Sequence, residues 1–158
     1  MTSNITKGIE IAENKTLKLK NILYKEIGFG TDADTQKAAY MFESYIKSKG
    51  FVPYGPSIIK VSVIYENGKL LQKKEMMVQL RQVPDKIESP YSFTELLRIE
   101  NCLLARYHGN MFNLPMAYSK LQVYAFENNI GLKGDTFTII IEQKEGDITA
   151  DVFAETVV

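Results

Sequence analysis

The residues able to do chemistry are few. The chain holds one histidine, His108, and one cysteine, Cys102. An unperturbed histidine titrates near neutrality, which would suit His108 to general acid–base work. No serine, cysteine or carboxylate is spaced so as to mark it as half of a nucleophilic pair, so a loop-ordering role stands beside the catalytic one. A zinc site needs a cluster of ligands, which a single histidine with a single cysteine does not supply. Cys102 sits on the strand parity opposite Leu103 and reads as a small buried hydrophobe rather than a reactive thiol. Glu100 and Glu155 lie in strand patterns: on a solvated face they are inert, whereas in an apolar groove such an acid would have a raised pKa and attract cations. No glycine stands in a dinucleotide or phosphate-loop context, and no cofactor is expected. The tyrosines are the informative set. Tyr40, Tyr45, Tyr54, Tyr65, Tyr107, Tyr118 and Tyr124, with Phe93, Phe137 and Phe153, are enough rings either to pack a core or to line a pocket that still offers hydroxyls.

These residues need elements to position them. The pattern starts with a polar leader over residues 1–15. From Thr16 Leu17, Leu19, Leu23, Ile27 and Phe29 share one parity, which predicts a half-buried strand. A helix follows, capped by Asp34, with Ala38, Phe42, Tyr45, Ile46 and Lys49 on one stripe and Gly50 as its stop. Ile59, Val61, Val63 and Tyr65 mark a strand. Asn67-Gly68 supplies the positive φ angles of a tight hairpin, and Lys69–Gln82 is the return strand, with Met76, Val78 and Leu80 on one face. Residues 84–96, rich in proline at the start, read as a connector. Leu97, Ile99, Leu103, Ala105 and Tyr107 alternate again. A second helix runs from about Leu114 to Asn128, capped by Asn113, with Leu114, Ala117, Tyr118, Leu121, Tyr124 and Ala125 on its stripe. After Gly131 and Gly134, Phe137, Ile139 and Ile141 form a strand, Glu145-Gly146-Asp147 a turn, and Ile148–Val158 the last strand.

The two halves align without a gap. An offset of 79 pairs Gly30 with Gly109, Asp34 with Asn113, Ala38 with Ala117, Tyr45 with Tyr124 and Gly55 with Gly134. We read residues 16–83 and 97–158 as two copies of one strand–helix–strand–strand unit, joined by the connector 84–96. The fold class is then α+β: two tandem β-α-β-β repeats related by a pseudo-twofold, a mainly antiparallel sheet with two helices on one face, and a groove between the repeats. The 19 basic and 19 acidic residues balance, which argues against a broad phosphate-binding face and so against direct nucleic-acid binding. The polar start is unlike a signal peptide, and no apolar run is long enough to span a bilayer. A soluble cytoplasmic chain is expected.

Arg106-Tyr107-His108-Gly109, the stripe Ala117-Tyr118-Leu121 and Gly134-Asp135-Thr136-Phe137, in this order of elements and after a diverged copy, resemble the GyrI-like or bacterial effector-binding domain. That family occurs in drug-responsive transcription activators, in gyrase-inhibitory proteins and as stand-alone chains. The resemblance implies an aromatic-lined groove between repeats that takes lipophilic, often cationic, small molecules. It also implies a buried glutamate as counter-charge, two residues before a tyrosine. In this chain Thr138 and Ile140 stand at those positions, and Glu142, on the parity of Thr138, is the nearest acid. The helix-turn-helix that family regulators carry has no counterpart in the polar leader.

The function expected is a non-catalytic module that binds a lipophilic small molecule, using Tyr107, Tyr118, Phe137, Thr138, Glu142, Tyr45 and Tyr65. An alternative is a protein-interaction module of the gyrase-inhibitory type, for which Met76, Met77 and Met111 would offer adaptable exposed contacts. A more distant one is a small-molecule hydrolase built on Glu142 and His108.

Overall fold

The computed structural model describes residues 8–28 and 32–157. The described residues form six strands and two helices in an α+β fold. In chain order these are β1 (Ile9–Gly28), α1 (Asp32–Ser48), β2 (Ile58–Glu66), β3 (Lys69–Gln79), β4 (Ser92–Asn110), α2 (Pro115–Glu127), β5 (Leu132–Lys144) and β6 (Asp147–Thr156). The strand pairs are antiparallel. Among the described residues no helix is long and apolar enough to cross a membrane. The chain divides into two compact units, Lys18–Leu97, and Met1–Leu17 with Arg98–Val158.

In the unit Lys18–Leu97, Asn67 and Gly68 both take positive φ, 51° and 75°, and close the β2–β3 hairpin. This is the conformation that an Asn-Gly pair adopts at least cost. Phe42 and Ile46 of α1 are buried against Leu23, Met76, Val78 and Leu80. The helix begins at Asp32, so Asp34, expected as its cap, lies inside the first turn. There its carboxylate still favours the positive end of the helix dipole. Met76 and Met77, expected as exposed contacts, are 8% and 6% exposed, because both faces of β3 are covered at this point; Met111 is exposed. Gly30 and Phe29 lie outside the described residues.

In the other unit, Ala117, Leu121 and Ala125 of α2 pack on Leu103, Ala105, Tyr107, Ile148, Ala150, Val152 and Ala154. The alanines matter: with Ala105 and Ala150 fully buried, the helix lies close to the sheet. The leader expected over 1–15 is corrected from Ile9 onward, where β1 begins. Ile9 is 4% exposed in the core, and His108 N donates to Gly8 O at 2.8 Å. Residues 1–7 lie outside the described residues. β4 begins at Ser92, inside the expected connector, and β5 begins at Leu132, before Gly134. Asn113 does not cap α2. Asn110 Oδ1 instead accepts from Phe112 N and caps the single 3-10 turn Met111–Asn113, and Leu114, with no side-chain bond, stands at the start of the helix. Pro115 in the first helical turn costs nothing, since its missing N–H would have had no partner there.

Candidate functional site

The register of β4, β6 and β5 sets up two opposite faces. Directly opposed residues of an antiparallel sheet share a face. Ala105 opposes Val152, which opposes Thr138; Tyr107 opposes Ala150, which opposes Ile140. This is the face covered by α2. The other face is built of three rungs: Leu104, Phe153 and Phe137; then Arg106, Asp151 and Ile139; then His108, Thr149 and Glu142. It runs from apolar rings, through an ion pair, to a polar end.

Glu142 reaches that polar end because of a bulge. Ile140 pairs with Ala150 and Glu142 with Thr149, so Ile141 is left out of register and is 47% exposed. One extra residue in a period-two strand moves everything beyond it to the opposite face. The parity argument that placed Glu142 with Thr138 is therefore corrected: Glu142 lies on the face opposite Thr138, with His108.

The middle rung carries the charge. Among the described residues Asp151 is the only buried side chain with a formal charge, at 7% exposure. Arg106 donates to both its oxygens, Nε to Oδ1 at 2.7 Å and the terminal nitrogen to Oδ2 at 2.8 Å. Such a fork-to-fork pair is the geometry in which a guanidinium best offsets a buried carboxylate. The hydrogen bonds and the charge of Asp151 hold the Arg106 guanidinium above its ordinary pKa. The arginine side chain is itself 54% exposed, so one partner is dry and the other wet.

At the polar end His108 Nδ1 and Thr149 Oγ1 lie 2.8 Å apart. A cleft of about 290 Å³ is lined by His108, Glu142, Lys144, Asp147 and Thr149. Every residue of the Arg106–Gly109 motif now has a structural task. Arg106 pairs with Asp151, the Tyr107 hydroxyl donates to Asn110 O, and His108 bonds Thr149. At Gly109, with φ of 155°, a Cβ would lie 2.9 Å from the Tyr107 hydroxyl oxygen, so glycine leaves that hydroxyl its room.

The remaining expected site residues are placed as follows. Tyr107 is 2% exposed in the core, and burial raises its phenol pKa. Tyr118 and Thr138 share a hydrogen bond under α2, and burial likewise raises the Tyr118 phenol against the opposing effect of that bond. Phe137 is buried on the ion-pair face with Glu142. Tyr45 and Tyr65 belong to the unit Lys18–Leu97. There Tyr45 stacks on Tyr91 at 3.7 Å between ring centroids, and Tyr65, near the hairpin tip, is 75% exposed. The Tyr45 hydroxyl is buried without a hydrogen-bond partner. Cys102 is buried, and burial raises its thiol pKa. Glu100 pairs with Arg98 at 2.8 Å and Glu155 with Lys133 at 3.0 Å. Among the described residues no group of His, Cys, Asp and Glu is placed to hold a metal. Sequence reasoning passed over Asp151, whose one available signal was its place in an alternating strand, on the polar parity.

No family model matches the sequence, and no curated protein does. Solved structures do match in fold. The crystal structure of the EcmrR C-terminal domain superposes with a TM-score of 0.70 over 94% of this chain and 98% of that domain, at 12% identity. EcmrR in its complex with DNA gives 0.74 over 98% of this chain at 13% identity, and this chain spans only 62% of that one. A hydrolase from Listeria innocua gives 0.56 over 94% of this chain and 91% of its own length, at 11% identity. At these identities the likeness is one of fold.

Proposed function

We propose that this chain is a GyrI-like, non-catalytic small-molecule-binding module, and that its ligand is an organic molecule bearing an amine cation and a lipophilic body. Its seat is the face formed by the three rungs of β4, β6 and β5. The observation that carries the reading is the buried Asp151, set between the rings of Phe137 and Phe153 and the open polar end at Glu142. A carboxylate in such a place attracts a cation far more strongly than one in water. Arg106 holds the position in the free protein, and its half-exposed side chain can give way to a ligand cation. Glu142 offers a second carboxylate at the mouth, and the neighbouring rings can take the apolar body. The fold is shared with the C-terminal domain of EcmrR, a protein solved on DNA.

Calorimetric titration with hydrophobic amines and their neutral amide counterparts tests this. Amines should bind and amides should not. Glu142→Gln should weaken amine binding about tenfold, equivalent to about 1.4 kcal/mol. Equal binding of amine and amide would remove the reading.

A hydrolase is the second reading, and the 2.8 Å approach of His108 Nδ1 to Thr149 Oγ1 favours it. A base within hydrogen-bond reach of a hydroxyl is the minimum for nucleophilic catalysis. Turnover of ester substrates lost in both Thr149→Val and His108→Gln would support it over plain binding.

A further inference from the structure

The unit Lys18–Leu97 carries a cleft of about 600 Å³ of opposite character, which shares no residue with the three rungs just described. Its charged lining residues are Lys18, Lys20 and Arg81, and no acid lines it. Among the described residues none of these cations forms an ion pair. Lys18 and Lys20 are exposed beside buried Leu17 and Leu19, so they share the outer face of β1, about 7 Å apart along the strand.

The backbone of the cleft is already satisfied. Leu80 N donates to Asn21 O at 2.8 Å, Arg81 N to Val52 O at 2.9 Å, and Tyr54 N to Gln79 O at 2.7 Å. Lys20 N donates to Gln79 Oε1 at 2.9 Å. What is left unanswered is the positive charge. The Arg81 guanidinium lies 5.6 Å from the centre of the Tyr54 ring, and that residue is 59% exposed. A cation–π contact at this range holds the guanidinium over the ring and leaves its N–H groups available to an anion.

We propose that the Lys18–Lys20–Arg81–Tyr54 cleft binds a small aromatic phosphate. The dianion would lie among the three cations, and the ring against Tyr54. Three cations around one place suit a phosphate better than a single carboxylate. A nucleic acid is disfavoured because a net charge of zero gives little overall attraction for a polyanion.

Phenyl phosphate titrated into the full chain, followed by amide NMR shifts, tests this, with inorganic phosphate, benzylamine and a short single-stranded oligonucleotide in parallel. Saturable shifts at residues 18–21, 54 and 79–81 are expected, with phenyl phosphate binding about tenfold more tightly than inorganic phosphate, as ring stacking would give. Arg81→Ala and Lys20→Ala should each weaken it about tenfold, Arg81→Lys should restore only part of the loss, and Glu142→Gln should change nothing. The variants are at exposed positions, and their thermal melting should match the parent. Absence of saturation at these residues, indifference to both alanine variants, benzylamine shifting these same residues with equal affinity, or the oligonucleotide bound there more tightly than phenyl phosphate would each overturn the proposal. These readouts are confined to the cleft residues; benzylamine shifts at Arg106, Glu142 and Asp151 are the separate expectation of the amine site.

Discussion

Removing Arg106 should cost more than removing the acid it pairs with. Arg106→Ala strands a carboxylate that is 7% exposed, whereas Asp151→Ala leaves a guanidinium whose side chain is already 54% exposed and can turn to water. Stranding one partner of a fully buried pair costs roughly 3–5 kcal/mol, and an exposed pair is worth about 0–1 kcal/mol. This pair lies between those limits, so Arg106→Ala should destabilise by about 2 kcal/mol and Asp151→Ala by about 1 kcal/mol. For a chain of this size the first corresponds to a fall in Tm of roughly 4–8 °C. Urea unfolding of the two single variants and the double variant measures both values and their non-additivity. The same substitution has a functional consequence. Freed of its internal cation, Asp151 should hold a ligand amine more tightly, so Arg106→Ala should raise amine affinity about three- to tenfold, and Asp151→Asn should abolish it. An Arg106→Ala variant as stable as Asp151→Ala, or one that binds amines more weakly than the parent, would refute the reasoning.

The remaining expectations are simpler. Tyr45→Phe removes a buried hydroxyl that has no partner, and should stabilise the chain by about 1 kcal/mol in urea unfolding. Burial raises the Tyr118 phenol pKa in the folded chain. The stability that depends on its proton is therefore complete below the ordinary phenol pKa of about 10 and is lost as pH rises above it. Tyr118→Phe should accordingly soften the alkaline loss of stability, read by circular dichroism between neutral and strongly alkaline pH. Cys102, with its thiol pKa raised by burial, should react with a thiol reagent only on unfolding; labelling of the native chain as fast as of the urea-unfolded chain would contradict its burial.

Much of the architecture was legible because it rests on short-range physics. Asn67-Gly68 specifies its hairpin through φ alone. The Phe42–Ile46 and Ala117–Leu121–Ala125 stripes announce helices whose buried faces are those observed. The candidate site was less legible, because it depends on register. Ile141 does not differ in composition from its neighbours, yet as the residue out of register it carries Glu142 to the other face. Asp151 alternates with Ala150 and Val152 like any solvent-facing residue, and only the partnership with Arg106 across the β4–β6 pair shows that it is buried. Asn113 does not act as a cap because it belongs to a 3-10 turn, Met111–Asn113, that precedes the helix and is itself capped by Asn110. Ile9 joined a strand that its polar surroundings concealed.

Amide and methyl NMR shifts recorded while a hydrophobic amine is titrated into the full chain test the central claim most directly. The account predicts that perturbations gather on Leu104, Arg106, His108, Ile139, Glu142, Thr149, Asp151 and Phe153, and vanish in Asp151→Asn. Perturbations confined to the α2-covered face around Tyr118 and Thr138, or unchanged in Asp151→Asn, would contradict it.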